Sequence, residues 1–425
     1  MSDFTVSDSE FSSCRLCPRK CGADRASGAK GRCGESEAVR VARAALHMWE
    51  EPCISGKRGS GTIFFTGCAL GCVYCQNRAI SRGGLFMDKG GEAVERGTLY
   101  GTGRPAGGSG ALHGNDRPAG GSGAMHGNDC PSGESGLPRG TGRPAGGSGG
   151  FGGNDRPAGG SGLPRGNGRS VSGSDAQAGG GASGAAATAR TLSVEELADL
   201  MLYLQDIENA ENINLVTGAH FLPQIARSLE LAKAKGLKLR VVYNSGGYEE
   251  AEAVRRLDGL VDIYLPDLKC LDGGLAERYM NAPDYPQKAV ECTAEMFRQT
   301  GECSFDERGM LKKGVIVRHL LIPGHVKEAA RVAKYLHGAY GDGIYMSFLA
   351  QYTPCGDFAA PGSEAAARFP ELARRVTKRE YSRLIDAVLG EGIVNAYVQE
   401  RESACGEFVP AFGADEVPEI RNATH

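Results

Sequence analysis

Short apolar runs alternate with amphipathic stretches along the second half of the chain, and this alternation restricts the fold more than any other feature. Residues 62–66, 212–217, 237–244, 261–268, 314–322 and 344–351 read as strands. Each is an apolar run rather than a strict in–out alternation, as strands covered on both faces are. Residues 193–206, 222–235, 248–257, 285–299, 326–336 and 378–389 read as helices. Ser193 and Glu196 have capping-box spacing at the start of the first helix, and Leu197, Leu200, Met201 and Leu204 recur on one of its faces. Gly236 stops the second helix. Six β–α pairs in succession predict an α/β fold with a parallel sheet and right-handed crossovers. The pattern leaves a doubly wound sheet and an incomplete barrel open; either gathers ligands at the carboxyl ends of its strands.

One segment breaks the alternation. Between residues 98 and 190 the chain is Gly, Pro, Ala and Ser with little else, and the unit Arg-Pro-Ala-Gly-Gly-Ser-Gly begins at Arg104, Arg117, Arg143 and Arg156. Such a tract has too few apolar side chains to offset its ordering entropy and is expected to be disordered. No lysine or helix-like sequence follows its glycine pairs, so a phosphate loop is not expected there. The chain then divides into a Cys-rich N-terminal metal-binding segment (1–55), a first strand with its following loop (56–97), the low-complexity insertion (98–190), and the remaining units with a C-terminal extension (191–425). A net charge of −3 provides no basic field for nucleic acid or an anionic membrane. No apolar run reaches the roughly 18 residues of a membrane span. The N-terminus lacks the basic and apolar blocks of a signal peptide, so a cytoplasmic protein with no nucleic-acid or membrane partner is expected.

In a reducing compartment, 14 cysteines point to metal ligands more than to disulfides. Cys68, Cys72 and Cys75 follow directly on the first strand, and Gly67 and Gly71 let the backbone turn around one small centre. Three readings fit the spacing: a structural zinc site completed by a remote residue, an inert or redox iron–sulfur cluster, or a [4Fe–4S] cluster with one iron left open. A second group, Cys14, Cys17, Cys21 and Cys33, lies in a small hydrophilic segment that would gain folding energy from a metal. Zinc or mononuclear iron, a second iron–sulfur cluster and no metal at all remain open there, with Cys53 a candidate substitute ligand. The scattered cysteines read as inert core or surface thiols.

The Cys-x3-Cys-x2-Cys spacing, with Tyr74 just before the last cysteine, resembles the radical S-adenosylmethionine (SAM) superfamily. Gln76-Asn77, and the stretch from Glu50-Glu51-Pro52 to Ile80-Ser81, resemble a narrower group of iron–sulfur proteins, those like pyruvate formate-lyase activating enzymes. The resemblance implies a partial (β/α)6 barrel, a [4Fe–4S] cluster on Cys68, Cys72 and Cys75, and SAM on the open iron. It implies reductive cleavage of SAM to methionine and a 5′-deoxyadenosyl radical that abstracts hydrogen. It also implies cofactor-binding positions. Tyr74 would lie against adenine, Asn244 near the ribose or methionine end, Asp267 at the ammonium or ribose, and Lys269 at the carboxylate. Arg318 would face the barrel, and Gln351 and Tyr352 would end the sixth strand near the cofactor. The implied partners are a glycyl radical enzyme or another peptide, and a reduced flavodoxin- or ferredoxin-like electron donor. Modification of a small molecule, and a non-catalytic electron-transfer protein, are the alternatives.

The chain departs from the family at one place. Many members carry Gly-Gly-Glu after the second strand, where this chain reads Val216-Thr217-Gly218-Ala219-His220. The strand-end Thr217 and Gly218 would then offer the backbone acceptors, and His220 is read as a substrate-side acid or base, or as a packed histidine. Trp49 is read as packed, residues 397–401 as one more strand, and Glu400, Arg401 and Glu402 as a solvated face.

Overall fold

The computed structural model describes residues 8–81, 189–398, 410 and 412–419. The Gly-rich insertion up to residue 188 and the expected solvated face at 400–402 lie outside the described residues. Helix α1 (Asp8–Ser12) precedes β1 (Val39–His47), α2 (Pro52–Ser55), β2 (Ser60–Phe65) and α3 (Arg78–Ser81). The chain continues with β3 (Arg190–Leu192), α4 (Val194–Asp206), β4 (Asn212–Val216), α5 (Leu222–Ala234), β5 (Arg240–Ser245) and α6 (Ala251–Val254). Then come β6 (Ile263–Pro266), α7 (Gly273–Met280), α8 (Tyr285–Thr300), β7 (Ser304–Phe305), β8 (Leu311–Leu320) and α9 (Val326–Tyr340). β9 (Tyr345–Leu349), α10 (Glu364–Arg368), α11 (Lys378–Gly390) and β10 (Ala396–Val398) complete the series.

These strands form a mixed α/β fold around a 10-stranded, largely parallel sheet of order β10-β9-β8-β6-β5-β4-β2-β1-β3, with β7 beside β8. From β2 to β10 every neighbouring pair is parallel, and the order follows the sequence without reversing. A doubly wound sheet would reverse at a switch point; this one winds in a single direction. β1 runs antiparallel to β2 and β3 antiparallel to β1, extending the sheet past its first parallel strand. Each of the six expected strands and helices has its counterpart, with ends moved by a few residues. The capping box at Ser193 forms, and Thr377 and Glu380 make another at α11. Each such cap is worth about 1 kcal/mol.

The strands are buried on both faces, which is why they read as apolar runs. Ile213, Leu215, Val241, Tyr243, Tyr264, Val315, Val317, Met346 and Phe348 point to the helices and share one core with Leu197, Leu200, Leu229 and Val332. The alternate residues Val242, Ile263, Leu265 and Ile316 point the other way and pack on Cys53 and Ile54 of α2, so α2 fills the inner face of the sheet. Cys53 is therefore a packed thiol rather than a substitute ligand, hydrogen-bonded with Tyr397 and pushed by burial up to about 12. Among the described residues no helix is long and apolar enough to cross a membrane.

Glu249, in the loop after β5, is 2% exposed and accepts hydrogen bonds from Tyr243 Oη (3.0 Å) and Ser245 Oγ. Burial raises its carboxyl from 4.5 to about 7, against those two hydrogen bonds. The folded state thus favours the proton. The contribution is complete below the unfolded value and is lost as pH rises through about 7, roughly 1–3 kcal/mol in all. Glu249→Gln, which mimics the neutral acid, should raise the thermal midpoint relative to wild type at pH 8 and have little effect at pH 4.5. Melting curves at the two pH values check this, and an equal shift at both would contradict it.

Candidate metal centre

The carboxyl end of β2 runs into a loop that three neighbouring elements hold in place. Gly67 turns it with φ +78°; a Cβ there would lie 2.5 Å from Glu35 Cγ and 2.8 Å from the Cys33 carbonyl. No side chain fits in that gap, so the turn requires glycine. The Cys68 N–H donates to the Cys33 carbonyl (3.1 Å), and the Val73 N–H to the Tyr279 carbonyl at the end of α7 (2.9 Å). Arg19 bridges the same two elements. It donates to Ala69 O (2.9 Å) and Leu70 O (3.1 Å) of the loop, and to Met280 O (2.8 Å) and Asn281 O at the carboxyl end of α7. Those last carbonyls have no partner within their own helix, so a guanidinium suits them. On the far side Gln76 Nε2 donates to Gln351 O (3.1 Å), beyond β9.

The loop forms one wall of a cavity of about 280 Å³ that Cys68, Cys72 and Cys75 line together with Asn244, Asp267 and Lys269. Phe64 and Leu349, near the ends of β2 and β9, line it too, so the sheet is curled enough for distant strands to face one space. Burial pushes the Cys72 thiol up, against the pull of the nearby Lys269 ammonium, and raises Cys68 as well. These thiols are neutral until a metal displaces their protons. Lys269 pairs with Asp267 at 2.5 Å. Burial works against its charge, but the neighbouring Asp267 carboxylate outweighs that and holds its pKa well above the usual lysine value.

Other residues expected at the site fall on both sides of the wall. Tyr74 lines the cavity, 5% exposed, with its ring edge-on to Tyr279 at 5.8 Å. Thr217, at φ +60°, and Gln351 line it as well. Tyr352 does not; it is buried, and its hydroxyl donates to Leu372 O (2.6 Å). His220 is a packed histidine: Nε2 meets the Thr66 carbonyl at 2.7 Å, and burial, helped by Arg25, lowers its pKa to about 3. Trp49 corrects the expectation of packing, since it is 61% exposed. Its neighbours Glu50 and Glu51 turn inward and leave it at the cavity edge.

Those two glutamates stand in the Glu50-Glu51-Pro52 motif quoted from sequence, which gave neither of them a role or a partner. Arg318 lines the cavity, but its guanidinium is engaged by them: Nε and Nη2 reach Glu51 at 2.9 and 2.5 Å, and Nη2 also meets Glu50. Asn214 Nδ2 donates to Glu50 (3.0 Å). Burial opposes the charge on Glu51, and Arg318 more than offsets it, lowering the carboxyl. Cys355 was read as an inert singleton; its sulfur donates to the Cys75 carbonyl at 3.6 Å, just outside the cavity wall.

In the N-terminal group Cys14, Cys17 and Cys33 are buried and Cys21 is exposed. Burial pushes Cys17 up to about 12, and the neighbouring thiols Cys33, Cys14 and Cys21 add to it. Among the described residues no three Cys, His, Asp or Glu side chains are already drawn to one point as a single ion would hold them. A cubane cluster makes a different demand, since each of its thiolates binds a separate iron at a separate corner.

No family model matches the chain. An uncharacterised protein of Methanocaldococcus jannaschii is similar, 23% identical over 192 residues, or 45% of this chain. The match spans about half (49%) of that relative's length.

Arg318→Met would leave Glu50 and Glu51 buried without their counter-charge, at a cost of about 3–5 kcal/mol at neutral pH. Wild type, with Glu51 lowered, keeps this contribution down to about pH 4.5, whereas in the variant burial alone acts on Glu51 and raises it, so that it takes up a proton as pH falls and relieves the cost. The gap between variant and wild type should therefore narrow from pH 7.5 to pH 5. Denaturant unfolding at both values checks this; a gap that widens on acidification would refute it.

Proposed function

We propose that this chain is a radical SAM enzyme, with a [4Fe–4S] cluster on Cys68, Cys72 and Cys75, and that its sheet is the partial (β/α)6 barrel of that superfamily. The observation that carries the reading is three buried or half-buried thiols on one cavity wall at the carboxyl end of the first parallel strand. They share that cavity with the charged pair Asp267–Lys269. The residues fit the group. The loop supplies three sulfurs, and the space beside Gly71 is open, since a Cβ there meets nothing within 4 Å. When bound, the cluster supplies the electron that splits SAM into methionine and a 5′-deoxyadenosyl radical, which removes a hydrogen atom from the substrate.

The chain's own residues bind, orient and exclude. Lys269 offers a cation to the SAM carboxylate, and Asp267 an acceptor to its ammonium or ribose. Tyr74, held by Tyr279, offers an aromatic face or edge to adenine, and Asn244 a side-chain amide to the ribose or methionine end. The strand ends around the cavity keep water from the reacting carbon. For the substrate, the resemblance favours a glycine of a partner glycyl radical enzyme, with electrons from a reduced flavodoxin- or ferredoxin-like donor. Another peptide or a small molecule is the alternative within the same chemistry.

A second reading draws on Cys355. With a fourth thiol beside Cys75, the loop could close a four-cysteine, non-catalytic electron-transfer cluster. The two readings separate cleanly. Anaerobically reconstituted, reduced protein should release 5′-deoxyadenosine from SAM. Cys72→Ala should abolish cluster and cleavage together, and Lys269→Met should weaken SAM binding about tenfold or more, the loss of one charge-assisted contact. Cys355→Ser should keep both cluster and cleavage; loss of the cluster in that variant, with no cleavage by wild type, would favour the electron-transfer protein. A doublet EPR signal on a candidate partner would identify glycine as the hydrogen source.

A further inference from the structure

The N-terminal cysteines are arranged in two tight turns that face each other. In the first, the Lys20 N–H donates to Cys17 O (3.0 Å) and the Gly22 N–H to Cys14 O (3.0 Å), with Lys20 at φ +40° and Gly22 at +66°. In the second, the Gly31 N–H donates to Glu35 O (3.0 Å) and the Gly34 N–H to Gly31 O (2.9 Å), placing Cys33 at its apex. Gly31 joins the two turns. A Cβ built on it would stand 3.4 Å from Cys33 Sγ and 3.5 Å from Cys21 Sγ, so sulfurs from both turns border the same small space. The buried guanidinium of Arg25 donates through Nη1 to Cys14 Sγ at 3.5 Å. A neutral thiol is a weak acceptor, whereas a metal-bound thiolate is a good one.

We propose that Cys14, Cys17, Cys21 and Cys33 form a second, structural metal site for a thiophilic metal, zinc or iron, that braces the Cys68–Cys75 loop. Both turns end on that loop. Arg19, between Cys17 and Cys21, grips the Ala69 and Leu70 carbonyls, and the Cys33 carbonyl receives the Cys68 N–H. Cys17 and Cys33 themselves pack against Ala69. A metal would draw the four sulfurs in to bonding distance, about 2.3 Å for zinc, and release their protons to solvent. The segment has little core to hold these turns otherwise: Phe11, Cys14 and Leu16 make one small cluster and Cys17, Cys33 and Ala69 another. The inference rests on the proposed function only in naming what the brace holds.

The test uses the full chain, purified anaerobically, with zinc and iron counted per chain and the iron typed by Mössbauer spectroscopy. The triple variant Cys68→Ala/Cys72→Ala/Cys75→Ala should keep one equivalent of zinc or one iron centre, since the second site is untouched. That outcome is independent of whether the protein cleaves SAM. Cys21→Ser, at the exposed position and thus mild for folding, should lose that equivalent. Cys21→Ser should also speed amide hydrogen exchange at residues 68–73, at least tenfold, while exchange in α4 stays the same. Zinc in the triple variant identifies a zinc site, and iron an iron–sulfur or iron–thiolate site. A folded triple variant without metal, Cys21→Ser with undiminished metal, or disulfides among the four cysteines in the anaerobic protein would each overturn the proposal.

Discussion

Arg318 carries a full positive charge to the inner face of the curled sheet, and the floor of the cavity depends on Glu50 and Glu51 meeting it there. A buried guanidinium without its counter-charge would cost several kcal/mol. The glutamates can reach it only because β1 runs antiparallel to β2 and the chain then turns inward before α2. The same turn delivers Cys53 and Ile54 to fill the apolar space between β5, β6 and β8. With the inside of the sheet occupied in this way, the strand ends above it are free to carry functional groups without leaving the sheet hollow.

The cysteine loop stands on that base but makes few of its own hydrogen bonds. Its carbonyls at 69 and 70 are met by Arg19, its amides at 68 and 73 by Cys33 and Tyr279. The same guanidinium takes up the carbonyls that end α7, so one side chain satisfies two elements that each leave backbone groups open. This gives the small polar N-terminal segment a structural purpose even though it has little core. Arg25 fastens the segment from behind, donating to Ser36 O (2.7 Å) and His220 O (2.8 Å) and stacking on Phe11 at 5.0 Å.

What could be read from sequence was local or periodic. Both-face burial made the parallel strands apolar runs, and the box at Ser193 marked the start of α4. β1 was missed although Val39, Val41 and Ala44 alternate roughly with half-buried positions, because two arginines and several alanines weaken the apolar signal. α7 was missed because it starts with two glycines and has only eight residues. In the site, the three cysteines announce themselves by spacing and the strand-end charges by position. The Arg318–Glu51 pair joins residues 267 apart, and Arg19 acts on carbonyls, which have no sequence signature. The outward turn of Tyr352 and the packing of His220 likewise depend on partners, Leu372 and Thr66, that no local pattern names.

The charges around the cavity also bear on what it can hold. Once a metal has displaced their protons, the three sulfurs would add negative charge to a buried space in which Asp267 already pairs with Lys269. A simple anion would meet Asp267 and the sulfurs as like charges, and a simple cation would compete with Lys269 for the same carboxylate. A ligand that carries an ammonium and a carboxylate together can exchange the internal Asp267–Lys269 pair for two new ones, each charge finding its opposite. The electrostatic cost of opening the pair is then largely offset in the bound state. On the proposed reading, the amino and carboxylate groups of SAM would make that exchange at this strand end, where a phosphate or a metal aquo ion could satisfy only one member of the pair.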